Sequence, residues 1–122
     1  MRRTRLKHQS AARRVEQAIR RSLAEQLGRP PCTIRILNVC TGQAEAFHEL
    51  VGAGQGGSRV DRRNIAPACN RCNQTIEDRP AEAYREGWKV RRSDAVEGEH
   101  GLVPAHPNPR SVAAILDQEA HR

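Results

Sequence analysis

The fold of this chain is decided by two short runs, CTIRILNVC at residues 32–40 and CNRC at residues 69–72. Each run begins and ends with a cysteine, and four thiols at these spacings can close one tetrahedral zinc site. Two thiolates separated by two residues at the start of a helix can both reach the same ion. The pattern therefore predicts a structural zinc ion held by Cys32, Cys40, Cys69 and Cys72.

The composition also favours a metal. The chain of 122 residues has only three aromatic side chains, those of Phe47, Tyr84 and Trp88, and about half of it reads as compactly foldable. Such a chain has a small hydrophobic core, and a bound ion can supply the missing stability.

The cysteines are expected in a reducing cytoplasm, because no apolar run of signal-peptide length follows the basic N-terminus. Metal ligation is favoured there over the alternatives of two disulfides or free thiols. No stretch reaches transmembrane length either, so a membrane partner is not expected.

The positive charge lies in the first half of the chain. Residues 1–63 hold 13 Lys+Arg against 5 Asp+Glu, whereas residues 64–122 hold 8 against 9, which gives +8 and −1 for the net +7. An uneven basic charge of this kind indicates an anionic partner, most commonly nucleic acid. The arginines predicted to contact a phosphate backbone are Arg13, Arg14, Arg20, Arg21, Arg59, Arg62 and Arg63.

Four segments are predicted along the chain. Residues 1–9 read as a basic disordered arm, and residues 10–28 as a basic amphipathic helix with apolar positions three or four apart. Residues 29–92 read as the zinc-braced domain, in which residues 32–40 form a short strand or a knuckle. Residues 93–122 read as a linker, centred on 101–109, and a short tail helix.

Between the cysteine runs lies a second set of polar and glycine residues in a fixed order. The set comprises His48-Glu49-Leu50, Gly56-Gly57-Ser58, Asp61 and Asn64, and Pro80-Ala81-Glu82-Ala83 with Gly87 follows the second run. With these motifs, residues 32–90 resemble the HNH endonuclease superfamily, in particular the small phage and prophage HNH proteins of high-GC bacteria.

The resemblance implies a small α+β domain containing a ββα-metal (His-Me) finger, with the four-cysteine zinc site as an outer brace. It places the general base at Glu49 and a ligand of the catalytic ion at His48, while Asn64 fixes the loop and orients the base. The family pattern has His where this chain has Glu49. His48, whose ordinary pKa is near neutrality, is therefore an alternative base.

A second departure lies in the predicted helix after Cys72. The pattern often has His at the positions of Asn73 and Glu77, which share a helix face at i and i+4. The resemblance implies that His48, Asn73 and Glu77 hold the catalytic ion. Oxygen donors favour Mg²⁺ or Mn²⁺ in that position.

The expected function is metal-dependent hydrolysis of DNA phosphodiester bonds, with one strand nicked by a monomer. The chain is expected to be a monomer or a weak dimer, and a double-strand break would require two copies or a partner. Phage relatives imply terminase subunits as further partners. The alternative is a catalytically degenerate zinc module that keeps the HNH fold and binds DNA without cleaving it. A zinc-ribbon transcription or RNA-binding factor is a third alternative, but it leaves His48, Gly56-Gly57 and Asn64 unexplained.

Overall fold

The protein is a small α+β domain. The structure, a computed structural model, describes residues 10–121, so the predicted disordered arm at residues 1–9 lies outside the described residues. The helices and strands in chain order are α1 (Ala11–Leu27), β1 (Ala46–Glu49), β2 (Ile65–Ala68), α2 (Asn70–Asp78), α3 (Pro80–Arg85), β3 (Ala95–Gly98), β4 (Gly101–Pro104) and α4 (Val112–Ala120). The predicted α+β class is confirmed.

Strands β1 and β2 form an antiparallel pair at the centre of the domain, with His48 opposite Ala66 and Glu49 opposite Ile65. Because side chains alternate along a strand, the pair packs against a different hydrophobic cluster on each face. The first cluster contains buried residues from the cysteine runs and from α2, α3 and the segment after α3, and includes Ile34, Ile36, Leu50, Ile76 and Trp88. The second contains Leu23, Ile65 and Val112, with Phe47, Leu27 and Leu116 packed around them.

Helix α1 begins and ends where the sequence predicts. The Ser10 side chain accepts a hydrogen bond from a first-turn backbone amide, and Gly28 ends the helix with a φ of 71°. Only the C-terminal half of the apolar stripe is covered, because Leu23 is buried whereas Val15 is 59% and Ile19 38% exposed. The N-terminal half of the apolar stripe is therefore open to solvent.

Residues 32–40 form a knuckle of turns, so the strand alternative for this run is wrong. Arg35 and Asn38 have positive φ values of 56° and 65°, which no strand accommodates. The tip of the knuckle presents Leu37, which is 85% exposed. The run therefore bends sharply enough to bring its two cysteines together.

The prediction of a linker after residue 93 is wrong for residues 95–104, which form the β3–β4 hairpin. The Leu102 amide donates to the Gly56 carbonyl at 2.8 Å, and the Ser58 amide donates to the Leu102 carbonyl at 2.9 Å. Four-residue strands rich in glycine are too short to show a periodicity in the sequence. The hairpin covers the loop between β1 and β2.

The predicted tail helix is confirmed as α4. Ser111 caps it, and Val112 is fully buried against Leu23 and Ile65. Trp88 and Val90 pack in the hydrophobic cluster that contains the cysteines, whereas Tyr84 is half-buried and lies outside that cluster. Within residues 10–121, every helix is too short or too polar to cross a lipid bilayer.

Candidate functional site

The four cysteines converge at one end of the β1–β2 sheet. Cys32 and Cys40 come from the knuckle, Cys69 is the N-cap of α2, and Cys72 lies in the first turn of that helix. All four sulfur atoms lie within 4.8 Å of one another, and three of the four residues are buried. Within residues 10–121, this is the one group of three or more His, Cys, Asp and Glu ligands that converge in this way.

Backbone amides point at the sulfur atoms of this cluster. Amides of Thr41 and Cys72 donate to Cys69 Sγ at 3.5 and 3.3 Å, and the Ile36 amide donates to Cys72 Sγ at 3.5 Å. Burial raises the pKa of the Cys69 thiol, but these hydrogen bonds outweigh it and bring the pKa to about 6. Burial and the neighbouring sulfurs raise the pKa of Cys72 well above its ordinary value.

The cluster fits a thiolate-bound metal ion. Sulfurs around a tetrahedral zinc lie about 3.8 Å apart, since each Zn–S bond is about 2.3 Å. The sulfur separations within 4.8 Å are compatible with that geometry after a small contraction. In this cluster, Cys69 already favours the thiolate that a metal requires, and a bound cation would deprotonate the others.

His48 lies toward the opposite end of the β1–β2 sheet. Its side chain points to the same face of the sheet as the hydrophobic cluster that contains the cysteines. It is only 5% exposed, and its Nε2 is 2.7 Å from the Trp88 carbonyl oxygen. A carbonyl only accepts, so Nε2 carries the proton and Nδ1 has the lone pair. Burial lowers the pKa of His48 below its ordinary value of 6.5. His48 is thus neutral at pH 7, as a base or a metal ligand must be.

Glu49 points to the opposite face of β1. Its carboxylate lies 3.7 Å from Arg20 Nη1, and the same guanidinium donates to the carbonyl oxygens of Phe47 and Arg59, at 3.0 Å each. Arg20 also lies over the Phe47 ring. The structure therefore joins Glu49 to α1 and places its carboxylate on the strand face opposite the His48 side chain.

Asn64 fixes the loop that follows β1. It is fully buried, its Oδ1 accepts from the Val51 amide at 2.8 Å, and its Nδ2 donates to the carbonyls of Val51 and Ser58 at 3.1 and 2.7 Å. Gly57 allows the close approach, since a Cβ there would lie 1.8 Å from the Val51 oxygen. Both ends of the loop are therefore held by one side chain.

Helix α2 brings Asn73 and Glu77 to one side, as predicted. Asn73 is half-buried and Glu77 exposed, next to the buried positions Cys72 and Ile76. The carboxylates of Glu49 and, to a lesser extent, Glu77 raise the pKa of His48 against the stronger effect of burial. Glu77 therefore lies within electrostatic range of His48, and Asn73 lies one turn before it on α2.

The predicted backbone-contacting arginines occupy different surroundings. Arg13, Arg20 and Arg59 line a cleft of about 220 Å³ between α1 and the loop before β2. Arg63 donates twice to the Asp61 carboxylate, at 3.1 and 2.8 Å, and this lowers the pKa of Asp61. The side chains of the remaining members of the set, Arg14, Arg21 and Arg62, are exposed.

Sequence reasoning missed the part of the site formed by residues 84–91. The Trp88 carbonyl holds His48, the Val90 amide donates to the Leu50 carbonyl at 2.9 Å, and Lys89 lies between these two contacts. A contact made by a backbone amide or carbonyl does not depend on the type of residue that carries it, so the sequence does not reveal it. The alternation of basic and apolar residues at 88–91 was the available signal.

The fold and the thiols thus define a small α+β domain with a four-cysteine site able to hold a metal ion. Comparison with known proteins adds no family to this description. The chain matches no protein-family model, no curated protein and no solved structure.

Proposed function

We propose that the protein is a metal-dependent DNA endonuclease of the HNH type. In this proposal β1, β2 and α2 form a ββα-metal finger, and the cysteine cluster is its structural zinc site. The observation that carries the proposal is the buried neutral His48, fixed by a backbone carbonyl beside a loop that Asn64 closes. The resemblance of residues 32–90 to HNH proteins supplies the reaction.

Zinc is the ion proposed for the cysteines. Four soft thiolates in tetrahedral array select zinc over magnesium or calcium among common ions. Closed sites of this kind are structural, because no ligand position stays open for substrate. The zinc therefore holds the knuckle against α2 and takes no part in hydrolysis.

His48 is proposed as the general base. The Trp88 carbonyl fixes the ring and its tautomer, which leaves Nδ1 to take a proton from the attacking water. Asn64 keeps the loop beside His48 in place. Glu49, which pairs with Arg20, then anchors α1 to the sheet instead of handling the proton.

Asn73 and Glu77 are proposed as protein ligands of the catalytic ion, for which their oxygen donors favour Mg²⁺ or Mn²⁺. When bound, such an ion polarises the scissile phosphate and stabilises the departing oxygen. One such site cuts one strand, so a monomer nicks. We extend the proposal, on the resemblance alone, to the bacterial cytoplasm and to terminase subunits as partners.

A DNA-binding module without hydrolysis is the second candidate. Two observations favour it. Glu49 pairs with Arg20, and residues 10–121 contain no second group of three or more His, Cys, Asp and Glu side chains placed to hold a metal ion. In that case the fold keeps its basic surface and its zinc but has lost the catalytic ion.

A plasmid assay with a metal series separates the two. The endonuclease nicks supercoiled plasmid with Mg²⁺ or Mn²⁺, loses that activity in Glu77→Gln, and keeps it in Glu49→Gln. The module binds the plasmid and leaves it intact with Mg²⁺, Mn²⁺, Ni²⁺ and Zn²⁺ alike. Loss of activity in a correctly folded Glu49→Gln variant would identify Glu49 as the general base in place of His48.

A further inference from the structure

Two cations lie on one aromatic ring beside the His48 site. The Arg91 guanidinium carbon is 4.4 Å, and Lys89 Nζ 5.5 Å, from the centre of the Tyr84 ring. Gln55, in the loop after β1, donates to the Tyr84 hydroxyl at 3.1 Å. The ring therefore links the two cations to the loop that Asn64 closes.

The backbone carrying these cations runs along the end of β1. Trp88 contacts His48 and Val90 contacts Leu50, so Lys89 lies between the two contacts. Lys89 Nζ would lie 3.9 Å from a Cβ at Gly52, at the start of the loop. Its positive charge also contributes to the lowered pKa of His48.

Within residues 10–121 neither cation forms an ion pair, and both line one pocket with Tyr84 and a single carboxylate, that of Asp94. The ion pairs of the described chain use other basic residues, such as Arg20 with Glu49, Arg63 with Asp61, and Arg85 with Glu82 and Glu86. Two cations beside one carboxylate leave the pocket with a net positive charge, which attracts an anion. A tyrosine face supports them but does not cancel their charge.

We propose that Lys89 and Arg91 form a binding site for a DNA backbone phosphate next to His48. The inference rests on the proposed function, which supplies DNA as the polyanion, and it adds residues absent from the predicted contact set. A phosphate held here positions the strand over His48. The contact carries no base specificity, since phosphates are the same in every sequence.

The salt dependence of DNA binding tests this site without any cleavage. Fluorescence anisotropy of a labelled duplex, in buffer with no added Mg²⁺ or Mn²⁺, gives the affinity of the full chain across a salt series. Loss of one phosphate contact lowers the magnitude of the slope by about 0.9, and the affinity by about eightfold at 0.1 M salt. We expect these changes in Lys89→Gln and Arg91→Gln, and near wild-type binding in Lys89→Arg.

Arg85→Gln is the matched control, because it removes the same charge from a side chain near Glu82 and Glu86. It should leave the slope unchanged. Wild-type slopes in both Lys89→Gln and Arg91→Gln would overturn the phosphate site while leaving the proposed function in place. Absence of DNA binding by the wild-type chain would overturn both.

Discussion

The two ends of the central sheet hold different kinds of site. At the cysteine end, the four ligands come from two short runs, and the amides of Ile36 and Thr41 donate to sulfurs of the second run. At the His48 end, the side chains come from strands, a helix and a loop, and contacts from residues 88–104 hold the arrangement.

The difference lies in what fixes each site. Turns of a few residues place the two cysteines of each run relative to each other, and hydrogen bonds between the runs hold the two pairs together. Tertiary packing fixes His48, whose partner is the carbonyl of a residue forty positions away. We therefore expect the first site to control whether the domain folds and the second to control what the folded domain does.

Removal of a ligand of the proposed zinc ion has the largest expected effect. Cys69→Ser should abolish cooperative unfolding of residues 32–90. A structural zinc contributes about 10–16 kcal/mol of apparent binding free energy, and the net unfolding free energy of a small domain is no larger than this. Circular dichroism melts with zinc analysis measure this. Leu37→Ser, at the exposed tip of the same knuckle, should melt like wild type. A cooperative, unshifted melt of metal-free Cys69→Ser would refute the structural role.

Asn64→Ala tests the loop at the other end. The substitution leaves the Val51 amide and the carbonyls of Val51 and Ser58 without their partner, which should cost about 2–4 kcal/mol of unfolding free energy. Urea denaturation measures the loss while zinc content stays unchanged. Asn70→Ala, at an exposed position, should stay within about 0.5 kcal/mol. A loss below that limit in Asn64→Ala would mean that the loop is held without it.

The titration of His48 should make the free energy of unfolding depend on pH, and this effect at the His48 end is smaller than the previous two. Burial lowers the pKa of His48 in the folded chain below its ordinary value of 6.5, so above that pH His48 is neutral in both states and contributes nothing. Below it the unfolded chain takes up a proton that the folded chain does not. Stability then falls by up to about 1.4 kcal/mol per pH unit until the folded pKa is reached.

Urea denaturation from about pH 7.5 to about pH 5.5, on both sides of the unfolded pKa, measures this effect. In His48→Gln, whose amide can still donate to the Trp88 carbonyl, this contribution should be absent. The zinc thiolates titrate alike in both proteins, so the difference between the two curves isolates His48. Parallel curves would contradict the burial of a neutral histidine.

The same contrast explains what the sequence could predict. Helix α1 with its cap, α2 and the cysteine cluster follow from periodicity, capping residues and spacing, all of which are local. The β3–β4 hairpin could not be predicted, because Leu102 pairs with a loop more than forty residues earlier. To predict which face of the sheet His48 and Glu49 each occupy, one would need the register of β1 on β2 and the packing of Arg20.

The most direct test of the central claim is the nicking rate of His48→Gln on supercoiled plasmid with Mn²⁺. The variant must first carry its full zinc and melt at the wild-type temperature, which shows that the cysteine end is intact. Loss of a general base lowers the rate by about 10²–10⁴-fold, and we predict a fall in that range. Nicking at the wild-type rate by this folded, zinc-loaded variant would contradict the assignment of chemistry to the His48 end.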